Sequence, residues 1–333
     1  MQEFKWGVIG PGRIAREFAK DLVHCSEKQR ISAVLSRSME HAQEFASEFC
    51  APFYTDNFSR FLNEAQVDAV YIATPHAQHY QYAISCLQRQ IPVLCEKPLA
   101  INQQQVKELM STAKANKTFL MEAMWIRFLP SIQQTLSHLY QLGPITSINV
   151  SLSFRAPRDK EHKRFFDPAL GGGSLLDLGI YPVFLSFLVL GKPCSIKAVA
   201  RVSIEGVDEA CSALLKFAGS QYAFVESSLI DQKESNAIIY GEKGFIKLCR
   251  PWNETPERIT LHIYDGPETE IPVRWEGKGM HFEADEVVRC VRNGKLESTV
   301  LSLQTSLDVM EIMDEIRSQV YVHYKADEMA AVG

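Results

Sequence analysis

Residues Trp6–Ala15 read WGVIGPGRIA, and the folding of this stretch decides how the first third of the chain is read. Lys5–Ile9 has the apolar run of a buried strand, and Ile14–Val23 continues with helical spacing. Between them Gly10, Gly12 and Ala15 stand at the fixed positions of G-x-G-x-x-G/A. In a strand–turn–helix unit the first glycine permits the sharp turn and the second lets a pyrophosphate approach the backbone. A small third residue keeps the helix close to the strand. A helix that opens at Arg13 and Ile14 then turns free N–H groups and the positive end of its dipole toward phosphate. A tight turn without ligand has the same spacing; the strand before and the helix after are the context that a dinucleotide cradle requires.

Working outward, strand-like runs at Ile31–Leu35, Val67–Ala73, Pro92–Cys95 and Thr118–Glu122 alternate with helical stretches. Those stretches are Met39–Phe49, Phe58–Glu64, Ala77–Arg89 and Gln103–Asn116, with a short strand at Phe53–Tyr54. Continuous apolar strands between amphipathic helices predict an α/β, doubly wound parallel sheet covered on both faces. The rhythm changes after Glu122. A helical stretch over Trp125–Tyr140 gives way to alternating runs at Ile145–Phe154, Ile196–Ile204, Ala210–Phe217, Tyr222–Ser228, Asn236–Tyr240, Gly244–Cys249 and Arg258–Tyr264. Glycine turns such as Tyr240–Gly244 join several of them, which predicts an open, mostly antiparallel sheet. Helices return at Phe282–Arg292 and Leu301–Gln319. The change of pattern alone divides the chain into a dinucleotide-binding domain, 1–122, and a substrate domain, 123–333.

The 333 residues are 46% hydrophobic and 23% charged, an ordinary globular mixture long enough for two domains. A net charge of −5 without a basic block argues against nucleic acid or an anionic membrane as partner. The eight cysteines are scattered, with neither C-x-x-C nor metal spacing, which predicts reduced thiols and a cytoplasmic protein. A strand already at Phe4 leaves no room for a leader in this reading, and the most apolar run, Val183–Leu190, is too short to span a bilayer.

The end of the second strand bears on the choice of dinucleotide. NAD enzymes place an acid there for the ribose 2′-hydroxyl. This chain has Leu35-Ser36-Arg37-Ser38 instead. Ser36 can hydrogen-bond a 2′-phosphate, and Arg37 can pair with it and lie over the adenine, so NADP is favoured over NAD. Arg13 adds positive charge in the glycine loop, and an exposed surface role for Arg37 is the alternative. Thr74, Pro75 and His76 follow another strand end and are expected to line the cofactor with His79. His76 and His79 have helix-face spacing but no third ligand partner, so no metal is expected.

Glu96-Lys97-Pro98 lies beyond the next strand end. Proline restricts Lys97, whose cation can bind a substrate hydroxyl and raise its acidity. Gly171–Tyr181, GGGSLLDLGIY, leads three glycines into a helix with Asp177 and Tyr181 at i and i+4, on one face. A tyrosine beside a cation can shuttle a proton while Asp177 orients substrate. A buried tyrosine capped by the aspartate is the equal alternative from this helix alone.

Together the N-terminal G-x-G-x-x-A, Glu96-Lys97-Pro98 and Asp177-x-Gly179-x-Tyr181 resemble the glucose-fructose oxidoreductase / inositol dehydrogenase (Gfo/Idh/MocA) family over essentially the whole chain. Many members end the last motif in histidine. Tyr181, with Glu122–Phe128 and GGGSLLDLGIYP, resembles the branch of dimeric dihydrodiol dehydrogenase and NADP-dependent D-xylose dehydrogenase. The resemblance implies a Rossmann domain, an antiparallel-sheet domain, NADP, and a sugar, polyol or dihydrodiol substrate. It implies Tyr181 as the acid/base, Lys97 as its activating neighbour, and aromatic substrate contacts from Trp125, Phe154 and Trp252. Arg127 is implied near the cofactor or substrate, and a homodimer through the sheet face. A cofactor-binding sensor need not keep both Lys97 and Tyr181. A sugar–sugar oxidoreductase that retains its dinucleotide is a further alternative.

Overall fold

The computed structural model describes residues 2–159 and 162–330. Contacts divide the chain into two compact units. One runs from the N-terminus to Phe128 and takes in Glu276–Leu307; the other holds Leu129–Trp275 and the chain from Asp308 onward.

In the first unit β1 (Phe4–Ile9), β2 (Gln29–Leu35), β3 (Phe53–Thr55), β4 (Ala69–Ile72), β5 (Val93–Glu96) and β6 (Leu120–Ala123) alternate with α1 (Arg13–Asp21), α2 (Met39–Glu48), α3 (Phe58–Glu64), α4 (His76–Gln88) and α5 (Gln103–Ala115). The sheet order is β3-β2-β1-β4-β5-β6 and every pairing is parallel. The order reverses between β1 and β4, so the crevice at their carboxyl ends is the switch point where such sheets bind ligands. Trp6, Phe18 and Tyr71 pack ring against ring in the core, and the Trp6 indole donates to Gln29 at 2.8 Å.

The second unit opens with α6 (Pro130–His138). The expected single helix over Trp125–Tyr140 is broken into a 3-10 turn at Trp125–Arg127, α6, and a second 3-10 turn at Leu139–Leu142. Pro130 explains the break: its ring holds Leu129 extended, at ψ 135°, and α6 restarts with proline in its first turn. There follow β7 (Ile145–Ser153), α7 (Ile180–Leu190), β8 (Ser195–Val202), β9 (Asp208–Lys216), β10 (Tyr222–Ser228), β11 (Ala237–Gly241), β12 (Gly244–Leu248), β13 (Ile259–Ile263) and β14 (Glu268–Glu270). The sheet order is β14-β13-β12-β11-β7-β10-β9-β8, antiparallel except where β10 lies parallel to β7. The three exposed residues of β14 carry no burial alternation, and the sequence reading did not find it.

Next α8 (Met280–Arg292) returns to the first unit, where Asp21 accepts N–H bonds from Lys278 and Met280 at 2.7 and 2.8 Å. Contacts therefore separate near Phe128 and again near Glu276, a path that a single cut at Glu122 does not trace. The chain ends in α9 (Leu303–Val320) and α10 (Lys325–Ala330).

Within the 23 residues Pro168–Leu190, an 18-residue window has a mean hydropathy of 1.8. Length and composition alone would let this stretch cross a membrane, but Gly171–Gly173 form a turn and the continuous helix begins only at Ser174. The window is 78% buried inside the protein, as a core helix is. All eight cysteines are free.

Candidate active site

In the first unit the turn after β1 takes the form its glycines predict. Gly10 has φ +87°, and a Cβ there would lie 2.9 Å from the Ala73 carbonyl oxygen, so only glycine fits. Gly12 is different. Its backbone is ordinary, at φ −83°, and a Cβ would meet nothing within 4 Å. The protein itself does not demand glycine here; the space beside it is open. No side chain caps the α1 N-terminus, which leaves its first N–H groups without a side-chain partner.

The cleft holds about 200 Å³ and is lined by Gly10, Gly12, Ser36, Arg37, Thr74 and Pro75, all expected from sequence. His41, Gln78 and Tyr82 line it too and were missed. The only sequence signal for Gln78 and Tyr82 is their four-residue spacing on α4, one face above Thr74. His41 lies in the first turn of α2, whose cap is Ser38. No carboxylate stands among the lining residues. The open Gly12, the uncapped helix and the cationic rim fit a phosphate-bearing dinucleotide. Arg13 and Ile14 open α1, but they, His76, His79, Glu96, Lys97 and Arg127 are not among the residues lining this cleft.

The loop after β5 is fixed at three points. Tyr71 donates to Glu96 at 2.5 Å, a ring nitrogen of His79 lies 2.8 Å from the Pro98 carbonyl, and the Leu99 N–H donates to Glu122 at 2.9 Å. The second nitrogen of His79 faces the Thr74 carbonyl, also at 2.8 Å, so one imidazole ties the β4 and β5 loops together. Burial, reinforced by the charge of Lys97, pushes the His79 pKa down to about 4 against the pull of the two carbonyls. Neutral His79 then donates to one carbonyl only. Burial also raises Glu122, to about 7. Lys97 sits half-buried at the centre of this frame, and the Lys97–Pro98 bond is cis. His76 is buried at the start of α4, 5.7 Å ring to ring from His79. Trp125 and Arg127 form the half-buried 3-10 turn, and Arg127 donates to the Val300 carbonyl at 3.0 Å.

In the second unit Asp177 and Tyr181 are buried, 7% and 8% exposed. Leu175–Gly179 is a π turn leading into α7. The wider turn adds one residue at the site, a feature frequent where function needs a side chain re-aimed. Asp177 is held by Arg164 at 2.9 Å. The same guanidinium lies 4.0 Å over the Phe165 ring, which meets Phe154 edge-on at 5.2 Å. The structure thus joins two expected residues, Phe154 and Asp177, through two that were missed. Arg164 and Phe165 precede the glycines by several residues, and nothing in their local spacing points back to Asp177. Trp252 is fully buried and its indole donates to the Ser151 carbonyl at 2.8 Å, which leaves it no open face for a substrate.

Residues 4–124 match the family described as an oxidoreductase family with NAD-binding Rossmann fold, and residues 138–247 match its C-terminal domain. The chain is 32% identical to trans-1,2-dihydrobenzene-1,2-diol dehydrogenase of Xenopus tropicalis over 332 residues, 96% of this chain and 99% of that one. It is 32% identical to the scyllo-inositol 2-dehydrogenase (NADP(+)) of Bacillus subtilis (strain 168), over 97% of this chain and 99% of that one. In fold it matches an aldose-aldose oxidoreductase from Caulobacter crescentus, crystallised with glycerol, at a TM-score of 0.87 and 20% identity, covering 96% and 98% of the two chains. With matched sequence over nearly its whole length and a cradle formed at Gly10 and Gly12, the chain belongs to the Gfo/Idh/MocA family of oxidoreductases.

Proposed function

We propose that the chain is an NADP-preferring dehydrogenase that interconverts a hydroxyl and a carbonyl on a sugar, polyol or dihydrodiol. One observation carries the cofactor preference: the cleft is lined by Ser36 and Arg37 and by no carboxylate. A 2′-phosphate meets a guanidinium and a hydroxyl there, with no anion to repel it. The nicotinamide supplies the hydride chemistry when bound. The α1 N-terminus and the open face of Gly12 hold the pyrophosphate.

The substrate class follows from the relatives, which act on a dihydrodiol and on scyllo-inositol. Tyr181 takes the proton from the substrate hydroxyl, or returns it in the reverse direction. Lys97 favours the ionised phenol and binds the same oxygen. Asp177, held in one orientation by Arg164, accepts a hydrogen bond from a neighbouring substrate hydroxyl.

Absorbance at 340 nm with aldoses, inositols and trans-dihydrodiols, run with each cofactor, tests the proposal. Turnover with at least one of these and a lower KM for NADP than for NAD are expected. Tight cofactor binding without turnover on any of them would favour a sensor. Tyr181→Phe should lower kcat by at least about a hundredfold, the usual contribution of a positioned acid/base, and leave NADP affinity unchanged.

A further inference from the structure

The π turn that carries Asp177 and leads into Tyr181 on α7 is anchored from outside its own helix. The Asp177 N–H donates to the Gly173 carbonyl at 3.2 Å, so the glycine loop directly supports the residue. That loop is in turn gripped from two directions. Asp208, at the start of β9, accepts the Ser174 hydroxyl and the Leu175 N–H, both at 2.6 Å. Ser174 also lies 2.9 Å from the Ser227 hydroxyl on β10. From the chain's C-terminal segment, the buried Tyr324 hydroxyl donates to the Gly172 carbonyl at 2.5 Å. Gly173 has φ +118°, and a Cβ there would stand 2.5 Å from Asp208 Oδ1 and 3.1 Å from the Tyr324 hydroxyl. Both groups therefore press on one glycine, and no side chain fits between them.

Tyr324 is itself fixed. Arg317, 4% exposed, pairs with Asp327 at 2.8 Å and lies 5.1 Å from the Tyr324 ring centre. The Tyr324 N–H donates to the same Asp327 carboxylate at 2.9 Å. A short segment after α9 thus delivers one buried hydroxyl to one loop carbonyl, some 150 residues back in sequence. Simple packing would need the ring but not the hydroxyl.

We propose that Asp208 and Tyr324 are positioning residues: they fix the Gly171–Ser174 loop and through it the placement of Tyr181. The inference rests on the reading of Tyr181 as the acid/base. Three variants test it, Tyr324→Phe, Asp208→Asn and, as reference, Tyr181→Phe. Each is measured for kcat, for NADP affinity by fluorescence titration, and for amide hydrogen exchange without cofactor.

Tyr324→Phe keeps the ring and removes the donor. Its kcat should fall about tenfold or more, in line with the sensitivity of turnover to small misplacements. NADP affinity should stay within about twofold, because the cofactor cradle belongs to the other unit. Exchange should rise over residues 172–181 and stay unchanged in the first unit. Asp208→Asn should behave alike. Parental kcat in both variants, with Tyr181→Phe inactive, would overturn the inference alone. A loss of NADP affinity as large as the loss of kcat would also overturn it, since it would report general unfolding. Full turnover by Tyr181→Phe would instead remove the reading beneath it. Should either variant lose its cooperative thermal transition, Ser174→Ala, which removes one of the two bonds to Asp208 together with the contact to Ser227, decides by the same comparison.

Discussion

At the scale of single residues, the two glycines of the cradle do different things, and substitution separates them. Gly10 is required by the backbone, with a left-handed φ and a carbonyl at 2.9 Å from any Cβ. Gly10→Ala should destabilise the first unit by more than about 1 kcal/mol, the usual cost of alanine at positive φ. Gly12 is required only by what binds beside it. Gly12→Val should fold with a melting temperature close to that of the parent, yet lose dinucleotide binding in a fluorescence titration. Equal loss of stability in both variants would contradict the assignment of that space to phosphate. Arg37→Ala should weaken NADP by about tenfold or more, the value of one charge-assisted hydrogen bond, and weaken NAD by much less; equal losses for both would contradict the 2′-phosphate role. These residues are legible in sequence because turn and strand end are local and their spacing is fixed. Arg164, Phe165, His41 and Tyr82 are not, because only tertiary packing brings them to their sites.

At the scale of elements, most strands of the first unit are legible because they are short apolar runs, largely buried on both faces. Boundaries fall within two residues of expectation, as for β1 and β5, and α3 falls at Phe58–Glu64 as read. What escapes is set by backbone detail: the break at Pro130, the π turn, and the unalternating β14. The clamp on the Lys97 loop was equally hidden, since Tyr71, His79 and Glu122 come from three separate elements.

Glu122 gives this clamp a measurable signature. Its folded pKa, about 7, stands above the ordinary carboxyl value of 4.5. Between those values the folded chain keeps a proton that the unfolded chain has released, so this group's contribution to stability falls as pH rises through the window. Asp208, raised to about 6 by burial, acts in the same direction in the second unit. Glu122→Gln retains an acceptor for the Leu99 N–H and removes the titration. Urea unfolding at pH 5 and pH 8 should show the variant gaining stability relative to the parent as pH rises. A difference that stays constant with pH would mean that Glu122 is ionised in the folded state.

At the scale of the whole molecule, the two sheets treat their faces differently. In the parallel sheet the central strand β4 is buried along its whole length, as βαβ crossovers on both faces require. In the antiparallel sheet the π turn and α7 pack against β7 and β10, and several of the residues that alternate with the buried ones stay open. Val199 on β8 is 71% exposed, Leu214 on β9 45%, and Tyr222 and Phe224 on β10 47% and 44%. Leu214 and Phe224 are register partners, so the exposure is contiguous rather than scattered. An apolar patch of this kind on a sheet interior marks an interaction surface. A second copy of the chain would cover it with the same patch, in the two-fold arrangement that closes on itself, and sedimentation tests this expectation. The parent should therefore sediment at micromolar concentration with twice the 37.6 kDa chain mass. Leu214→Glu would bury two unpaired carboxylates across the two-fold axis, a cost that dissociates such an interface. It should sediment as a monomer with its thermal transition intact, because the side chain is exposed within one chain. A monomeric parent, or a Leu214→Glu variant still dimeric, would show that this face meets something other than its own copy.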